Sequence, residues 1–406
     1  MSVQDLALQR DKYKHLSDEE WRWFLQQVEG RERTADKLPT FAAIEDWWYP
    51  VRLSCEQCSS ELTAKYKAQI LSTFDFRLSA LLDLTAGYGV DTYFLSEHFE
   101  HTDYVEQNAE LCRIAAHNFS LPFREGTGVG PITIHNTTAE DFLSSLPCRE
   151  GAGLGFYDLI FLDPARRDSH GGKVFRLEDC TPNVVELLPT LLSHGKRLML
   201  KLSPMLDISQ AIKELSAVSW NVHVVAVKNE VKEVLLLSQE SRAKSQEPTI
   251  TAIDLAEPEK AFIFTREEER LTAQRSFSAT VFQRSGLSGA AGLYLYEPSA
   301  AILKAGAYKL IAQRFGLQKL DVNTHLYVSD TLIDNFPGRV FKALPFREGT
   351  GLGQANVLTR NYPLTPEQLR KKLHLRDGGT DYIIGCRIAG RPTLLLAERI
   401  VSTITD

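Results

Sequence analysis

The sequence has little of what membranes, secretion or a disulfide framework require. No apolar run approaches the roughly 20 residues of a bilayer-spanning helix. The opening residues, MSVQDLALQRDKYKHLSDEE, are polar, with neither an apolar h-region nor a small-residue cleavage site, so a cytoplasmic protein is expected. Cysteine is sparse and irregular, at positions 55, 58, 112, 148, 180 and 386, and reads as free thiols in a reducing compartment. Cys55-x-x-Cys58 is half of a zinc site with no second pair to complete it; no metal is expected. An excess of positive charge is missing too: 46 basic against 52 acidic residues leave −6, which by itself does not point to nucleic acid.

What is present is an ordinary globular composition, 43% hydrophobic and 24% charged, on 406 residues, a length that suits several domains. The charge is unevenly placed. From Arg339 onward 11 basic residues face 6 acidic ones, whereas the preceding part carries 35 against 46. A basic end on an acidic body is either a polyanion-binding appendage or a solvated face.

Residues 1–78 lack strand patterning and read as a helical extension, with a capping box at Ser17 and Glu20 and a further helix through 59–71. Between 79 and 245 the texture changes. Short apolar runs (LLDLT, TDYVE, ITIHN, YDLIFLD, KRLMLKLS, NVHVVAV, VLLLSQ) alternate with amphipathic stretches near 91–99, 108–119, 178–193 and 207–218. That alternation predicts a mostly parallel, doubly wound α/β sheet, with the last two runs forming an antiparallel hairpin at its edge. Residues 246–328 suggest a small α/β linker domain, with ferredoxin-like topology one option. It holds TITAIDL, AFIFT, a Gly/Ser/Ala-rich hinge at 285–292 and a helix over 298–316 capped by Gly316. Residues 329–406 form a compact α+β module with a helix at 365–375.

A repeat, L-P-x-R-E-G-x-G-x-G, recurs at 121–130, 146–155 and 344–353. A phosphate loop leaves a strand and opens a helix. These copies do not, and read as loop insertions of common origin.

The chemistry concentrates in LLDLTAGYGVDTYFL (81–95). A strand ends at Asp83, Gly87 and Gly89 permit a tight turn against a ligand, and a helix follows. The next strand ends at Glu106, placed to accept hydrogen bonds from ribose hydroxyls. A dinucleotide fits poorly, because Thr92 stands where the third glycine belongs and Asp83 and Asp91 would repel a pyrophosphate. The same carboxylates suit a ligand carrying an ammonium group.

DLTAGYGVD resembles motif I of the class I S-adenosylmethionine-dependent methyltransferases, VEQN (105–108) their acidic motif, and YDLIFLDPARRD (157–168) their fourth-strand motif. With SSELTAKYKA, YEPSAAILKAGAYKLIAQRFGL and RNYPLTPEQLRKKLHLRDGGTDY, the chain is similar nearly throughout to a bacterial family that adds a C-terminal THUMP-like domain to a Rossmann-like methyltransferase sheet. The resemblance implies S-adenosyl-L-methionine as cofactor. It puts Asp83, Thr85, Ala86, Gly87, Gly89 and Asp91 around the methionine end, Glu106 and Gln107 at the ribose, and Thr138, Ala139 and Glu140 at the adenine. Thr138 stands where the family has Asp, leaving Glu140 or Asp141 for the adenine amine, Asp141 being equally a helix-start residue. Asp163, Pro164 and Arg166 fall at the catalytic motif, whose usual D/N-P-P-aromatic is altered by Ala165 and Arg166. Arg166 and Arg167 either hold phosphate, or Arg166 pairs with Asp168 or Asp163. Covalent C5 chemistry is not expected, because KLSPML (201–206) lacks the cysteine it needs.

The expected function is methylation of RNA, tRNA or rRNA, at a base nitrogen by direct in-line transfer, with Arg167, Arg370, Lys371 and Lys372 holding the RNA. The alternatives are a small-molecule or protein methyltransferase, and a non-catalytic cofactor-binding RNA-binding protein.

Overall fold

The computed structural model describes residues 3–72, 78–121, 130–147, 156–166, 176–239, 247–273, 293–347 and 352–400. The first two repeat loops lie largely outside them, the third over 348–351, and the hinge at 285–292, Cys148, Arg167 and Asp168 wholly. The chain divides into two compact units, Met1–Asn221 with Val234–Gln246, and Val222–Glu233 with Glu247–Asp406.

The first unit begins with helices α1 (Val3–Ala7), α2 (Asp18–Thr34), α3 (Pro39–Ala43), α4 (Arg52–Gln57) and α5 (Glu61–Leu71). The expected capping box is present: the Ser17 hydroxyl accepts from the Glu20 amide, and the Glu20 carboxylate accepts from the Ser17 amide. Ser60 caps α5, its hydroxyl accepting from the Thr63 amide at 3.2 Å. Strands β1 (Leu78–Asp83), β2 (Phe99–Val105), β3 (Ile132–His135), β4 (Tyr157–Leu162), the short pair β5 (Ala165–Arg166) and β6 (Cys180–Thr181), and β7 (Gly195–Leu202) follow. Helices α6 (Val90–Leu95), α7 (Ala109–Phe119), α8 (Ala139–Ser145), α9 (Val184–His194) and α10 (Ile208–Glu214) alternate with them.

β3, β2, β1, β4 and β7 lie side by side and all run parallel. The strand order reverses between β1 and β4, so their carboxyl ends open a crevice at the switch point where α/β sheets bind ligands. β4 is buried along its whole length, as a central parallel strand covered on both faces must be. Two further strands are β8 (Trp220–Val227) and β9 (Glu230–Ser238), of which β9 runs antiparallel to β7. β8 is not the edge strand that was expected: β10 (Thr249–Asp254) pairs parallel with it, and β11 (Phe262–Thr265) antiparallel with β10. The physical reason is in β8 itself, where Val222, Val224, Val225 and Ala226 are all buried; so apolar a strand makes a poor exposed edge.

The second unit also contains a seven-stranded sheet. Its members are β12 (Leu293–Pro298), β13 (Gln318–Asp321), β14 (Thr324–Ser329), β15 (Gly338–Pro345), β16 (Asn356–Arg360), β17 (Asp381–Ile388) and β18 (Arg391–Ile400). Their order is β13-β14-β12-β15-β18-β17-β16. The boundary expected at 328/329 lies within β14, one residue before its end. The single helix expected over 298–316 is two, Ala300–Ala305 and Leu310–Arg314, because Gly306 takes up a left-handed φ of 85° and caps the first. A basic helix, Pro366–Lys372, opens on a Thr365/Gln368 capping box. Among the described residues no helix is long and apolar enough to cross a membrane.

The helical extension packs on the first unit through aromatic rings. Phe41 stacks on Trp47 with centroids 4.1 Å apart and meets Tyr93 edge-on at 5.0 Å. Gly30 on α2 lies against Tyr49, whose Cβ is 2.2 Å from where an alanine methyl would sit. Gly30→Ala should therefore lower stability in urea unfolding by about 1–3 kcal/mol, overriding the roughly 1 kcal/mol that alanine gains in a helix.

Candidate active site

The crevice at the carboxyl ends of β1, β2, β3 and β4 is a cleft of about 650 Å³. Asp83 ends β1, and the chain turns through Thr85-Ala86-Gly87-Tyr88-Gly89 before entering α6. Gly87 and Gly89 have φ of 59° and 83°, conformations that disfavour side chains. A Cβ on Gly89 would also meet the Phe119 ring at 2.8 Å, whereas one on Gly87 would meet only the Thr85 carbonyl, at 3.8 Å. The turn is tied down on both sides. Gly87 N–H donates to the Glu106 carboxylate at 3.0 Å, Tyr104 Oη donates to the Gly87 carbonyl, and Ala86 N–H donates to Val105 O. Glu106 also accepts from the Asn108 amide at 2.7 Å, which fixes its rotamer at the rim.

Asp83, Thr85, Ala86, Gly87, Gly89, Asp91, Glu106, Gln107, Thr138, Ala139, Glu140 and Asp163 all line this one cleft. Asp141 does not: its amide donates to the Thr138 hydroxyl at 3.1 Å, and the residue is an exposed helix-start residue. Pro164 is buried behind the wall. Ala165 and Arg166 form β5 against Thr181 and Cys180, which places the Arg166 backbone beside the cleft. Arg167 lies outside the described residues. Arg370, Lys371 and Lys372 belong to the second unit, on its basic helix; Arg370 pairs with Asp377 at 2.6 Å while Lys371 and Lys372 are exposed.

Several residues at the cleft were not singled out from sequence. The helical extension supplies one wall, through Val51, Leu53, Ser54, Gln57, Cys58 and Ser59. Lys201 of β7 is the one cation among the described lining residues. Its Nζ lies 2.5 Å from the Asp163 carboxylate and 3.6 Å from Asp91. Asp91 in turn accepts from Ser59 Oγ at 2.7 Å and pairs at 3.2 Å with Lys67 of α5, a lysine with no exposed surface. Burial pushes the Asp91 carboxyl upward, but Lys67, Lys201 and Ser59 outweigh it and hold it below its usual value. A signal for Lys201 was present in the sequence, a lysine inside the apolar run LMLKLS; Lys67 falls in SSELTAKYKA, a segment that carries the family resemblance, but nothing local marks it as a buried charge.

Asp83 has the opposite fate. It has no exposed surface and is pushed up to about 7, chiefly by burial. Hydrogen bonds from the Thr92 hydroxyl at 2.6 Å and the Thr85 amide at 3.2 Å oppose the rise, and the Asp91 and Asp163 carboxylates add to it. The Cys55 thiol is likewise raised to about 12 by burial. Among the described residues no three His, Cys, Asp or Glu groups converge as metal ligands.

With this geometry in view, the likeness to known proteins becomes specific. A protein of Porphyromonas gingivalis W83, described as a candidate methyltransferase, has a solved structure that is 32% identical and matches 95% of this chain and 92% of its own, with a TM-score of 0.78. The chain belongs to this methyltransferase family. Two proteins of Mycobacterium tuberculosis, from strains CDC 1551 and H37Rv, are each described as an uncharacterized S-adenosylmethionine-dependent methyltransferase and are 24% identical over 239 residues. That match covers 57% of this chain and 60% of each of theirs. Family models match a ferredoxin-like domain at residues 294–337 and a THUMP domain-like one at 342–399.

In this methyltransferase family member, the protonated state of Asp83 is a stability term with a definite sign. The folded protein holds the Asp83 proton up to about pH 7, while the unfolded chain releases it near the ordinary carboxylate value. Its contribution is fully present below about pH 4 and is lost as pH rises to about 7, by up to about 1.4 kcal/mol per pH unit. Asp83→Asn, which keeps an acceptor for Thr92, should become more stable relative to wild type as pH rises through that window. Urea midpoints measured between pH 4.5 and 7.5 check it; parallel curves for the two proteins would refute it.

Proposed function

We propose that this protein transfers a methyl group from S-adenosyl-L-methionine to RNA by direct in-line displacement. The observation that carries the reading is the gathering of the twelve motif residues around one cleft at the switch point of the sheet. The cleft suits the cofactor in size and in chemistry. Its volume is in the range of small-molecule sites, and Asp91, Glu106, Glu140 and Asp163 give it the acceptors that an ammonium group and ribose hydroxyls need. When bound, the cofactor supplies an electrophilic methyl group on a sulfonium.

The chain's own part is to bind and to orient. Glu106, locked by the Gly87 and Asn108 amides, would hold the ribose, and Ala139, at the start of α8 behind its Thr138 cap, would take the adenine. Gly87, which lines the cleft without a side chain, would leave room for the methionine end. Asp163, whose amide is held by the Thr85 hydroxyl at 2.6 Å, presents its carboxylate to the acceptor, where alignment supplies much of the rate. Pro164 stiffens that turn, and the backbone of Arg166 fixes its exit.

RNA is favoured over a protein or small molecule by the second unit. Its THUMP-like segment resembles RNA-binding domains, and its basic helix leaves Lys371 and Lys372 in solvent. A base nitrogen of tRNA or rRNA was the acceptor expected from sequence; the charges around Asp163 favour a different atom.

With tritiated S-adenosylmethionine, wild-type protein should label total RNA from a strain lacking the gene, and Asp163→Ala should lose the label. Counts found only in protein or small molecules would transfer the reading to those acceptors. Replacing Arg370, Lys371 and Lys372 together by glutamine should weaken RNA binding. It should also reduce the slope of log affinity against log salt by about 0.7 for each phosphate no longer neutralised; an unchanged slope would remove the helix from the interface.

A further inference from the structure

We propose that the acceptor atom is a hydroxyl oxygen, the 2′-hydroxyl of an RNA ribose, with Asp163 as the proton acceptor and Lys201 as the cation that steadies the oxygen as its charge builds. This rests on the methyl-transfer reading of the cleft and names the acceptor within it.

The argument is electrostatic. A neutral amine nitrogen that takes a methyl group becomes cationic, and a fixed ammonium beside it opposes that change. A hydroxyl oxygen becomes more negative as its proton leaves, and the same ammonium favours it. Lys201 Nζ is 2.5 Å from the motif carboxylate, with only 12% of its side chain exposed, so little water screens it. It is also rigidly placed. Lys201 projects from a central strand and sits between Asp163 and Asp91, and Asp91 is itself held by Lys67 and Ser59. Each of the four groups thus has an oppositely charged neighbour in a confined space, which an isolated buried charge would not have.

A second observation agrees. The position after Asp163-Pro164 is Ala165, which lines the cleft and offers no ring for an extruded base to stack on. The two aromatics among the described lining residues, Tyr88 and Phe161, are 4% and 1% exposed. Tyr88 is further engaged with Trp47 and Trp48 through its hydroxyl. Among the described residues the site has no exposed stacking surface but does have an ammonium–carboxylate pair, an arrangement suited to sugar rather than base.

The step balances simply. The ribose O–H bond breaks and its proton passes to the Asp163 carboxylate and then to water. The oxygen forms a C–O bond to the methyl carbon as the C–S bond breaks, its electron pair remaining on sulfur as a neutral thioether. Lys201 stays protonated throughout.

The test uses the full-length protein, Lys201→Met and Lys201→Arg, with tritiated S-adenosylmethionine and total RNA from a strain lacking the gene. Labelled RNA is hydrolysed in alkali, which cannot cleave next to a 2′-O-methyl ribose, and S-adenosylhomocysteine binding is measured by calorimetry. Expected are label in alkali-resistant dinucleotides, a loss of about 100-fold or more in rate for Lys201→Met with partial recovery for Lys201→Arg, and product affinity within about threefold for both. Label in mononucleotides, as methylated base, overturns the oxygen acceptor while leaving RNA methylation standing. Absence of label from RNA overturns the RNA reading and the ribose with it. A loss of S-adenosylhomocysteine affinity beyond about tenfold in Lys201→Met assigns Lys201 to the cofactor wall and overturns its role at the acceptor.

Discussion

Four charges confined at the end of a parallel sheet have to neutralise one another, and the arrangement of the first unit follows from that demand. Asp91 and Lys67 are both buried, and neither could remain charged there alone. Lys201 extends the alternation to Asp163, the carboxylate that faces the acceptor. Because Lys67 stands on α5 and Ser59 just before it, the chain of charges joins the helical extension to the loop after β1. The extension is therefore part of the site and not an appendage to it. Its aromatic packing, Phe41 and Trp47 against Tyr88 and Tyr93, holds the same loop from the other side.

Two aspartates nearby in sequence, Asp83 and Asp91, illustrate how environment divides one chemistry into two roles. Both are buried, and from sequence they are equivalent partners for a cationic ligand. Asp91 has two lysines and stays ionised; Asp83 has hydroxyl and amide donors but no cation in contact, and is pushed up to about 7. Asp83 works first as a clasp, gripping Thr92 and Thr85 across the glycine turn, and Asp91 as the anchor of Lys201. The second unit manages buried charge by the same rule. Glu297, nearly without exposed surface, is paired with both Arg339 and Arg360, so part of the basic excess at the end of the chain balances an internal carboxylate.

Much of this was legible in the residues themselves. Period-two apolar runs, the Ser17 and Thr365 caps, and a Gly-x-Gly turn ahead of an acidic strand end are local features, governed by sterics and hydrogen bonds between near neighbours. Local rules also led astray where a distant partner intervened. Residues 298–316 read as one helix, because a single glycine inside a helical pattern is usually tolerated; here Gly306 ends it. β8 read as an edge because the strand that covers it, β10, is an ordinary short run that could have paired elsewhere.

The sequence alone determined the α/β class, the order of the strands along the chain, the turn that closes on the cleft and the carboxylates that line it. Each depends on side chains a few residues apart. The tertiary structure decided which charges meet. Lys67, Asp91, Asp163 and Lys201 are far apart along the chain, and no periodicity or motif relates them. Their pairing exists only because α5, α6, β4 and β7 converge on one point, where desolvation makes every unpaired charge costly and every correct partner decisive.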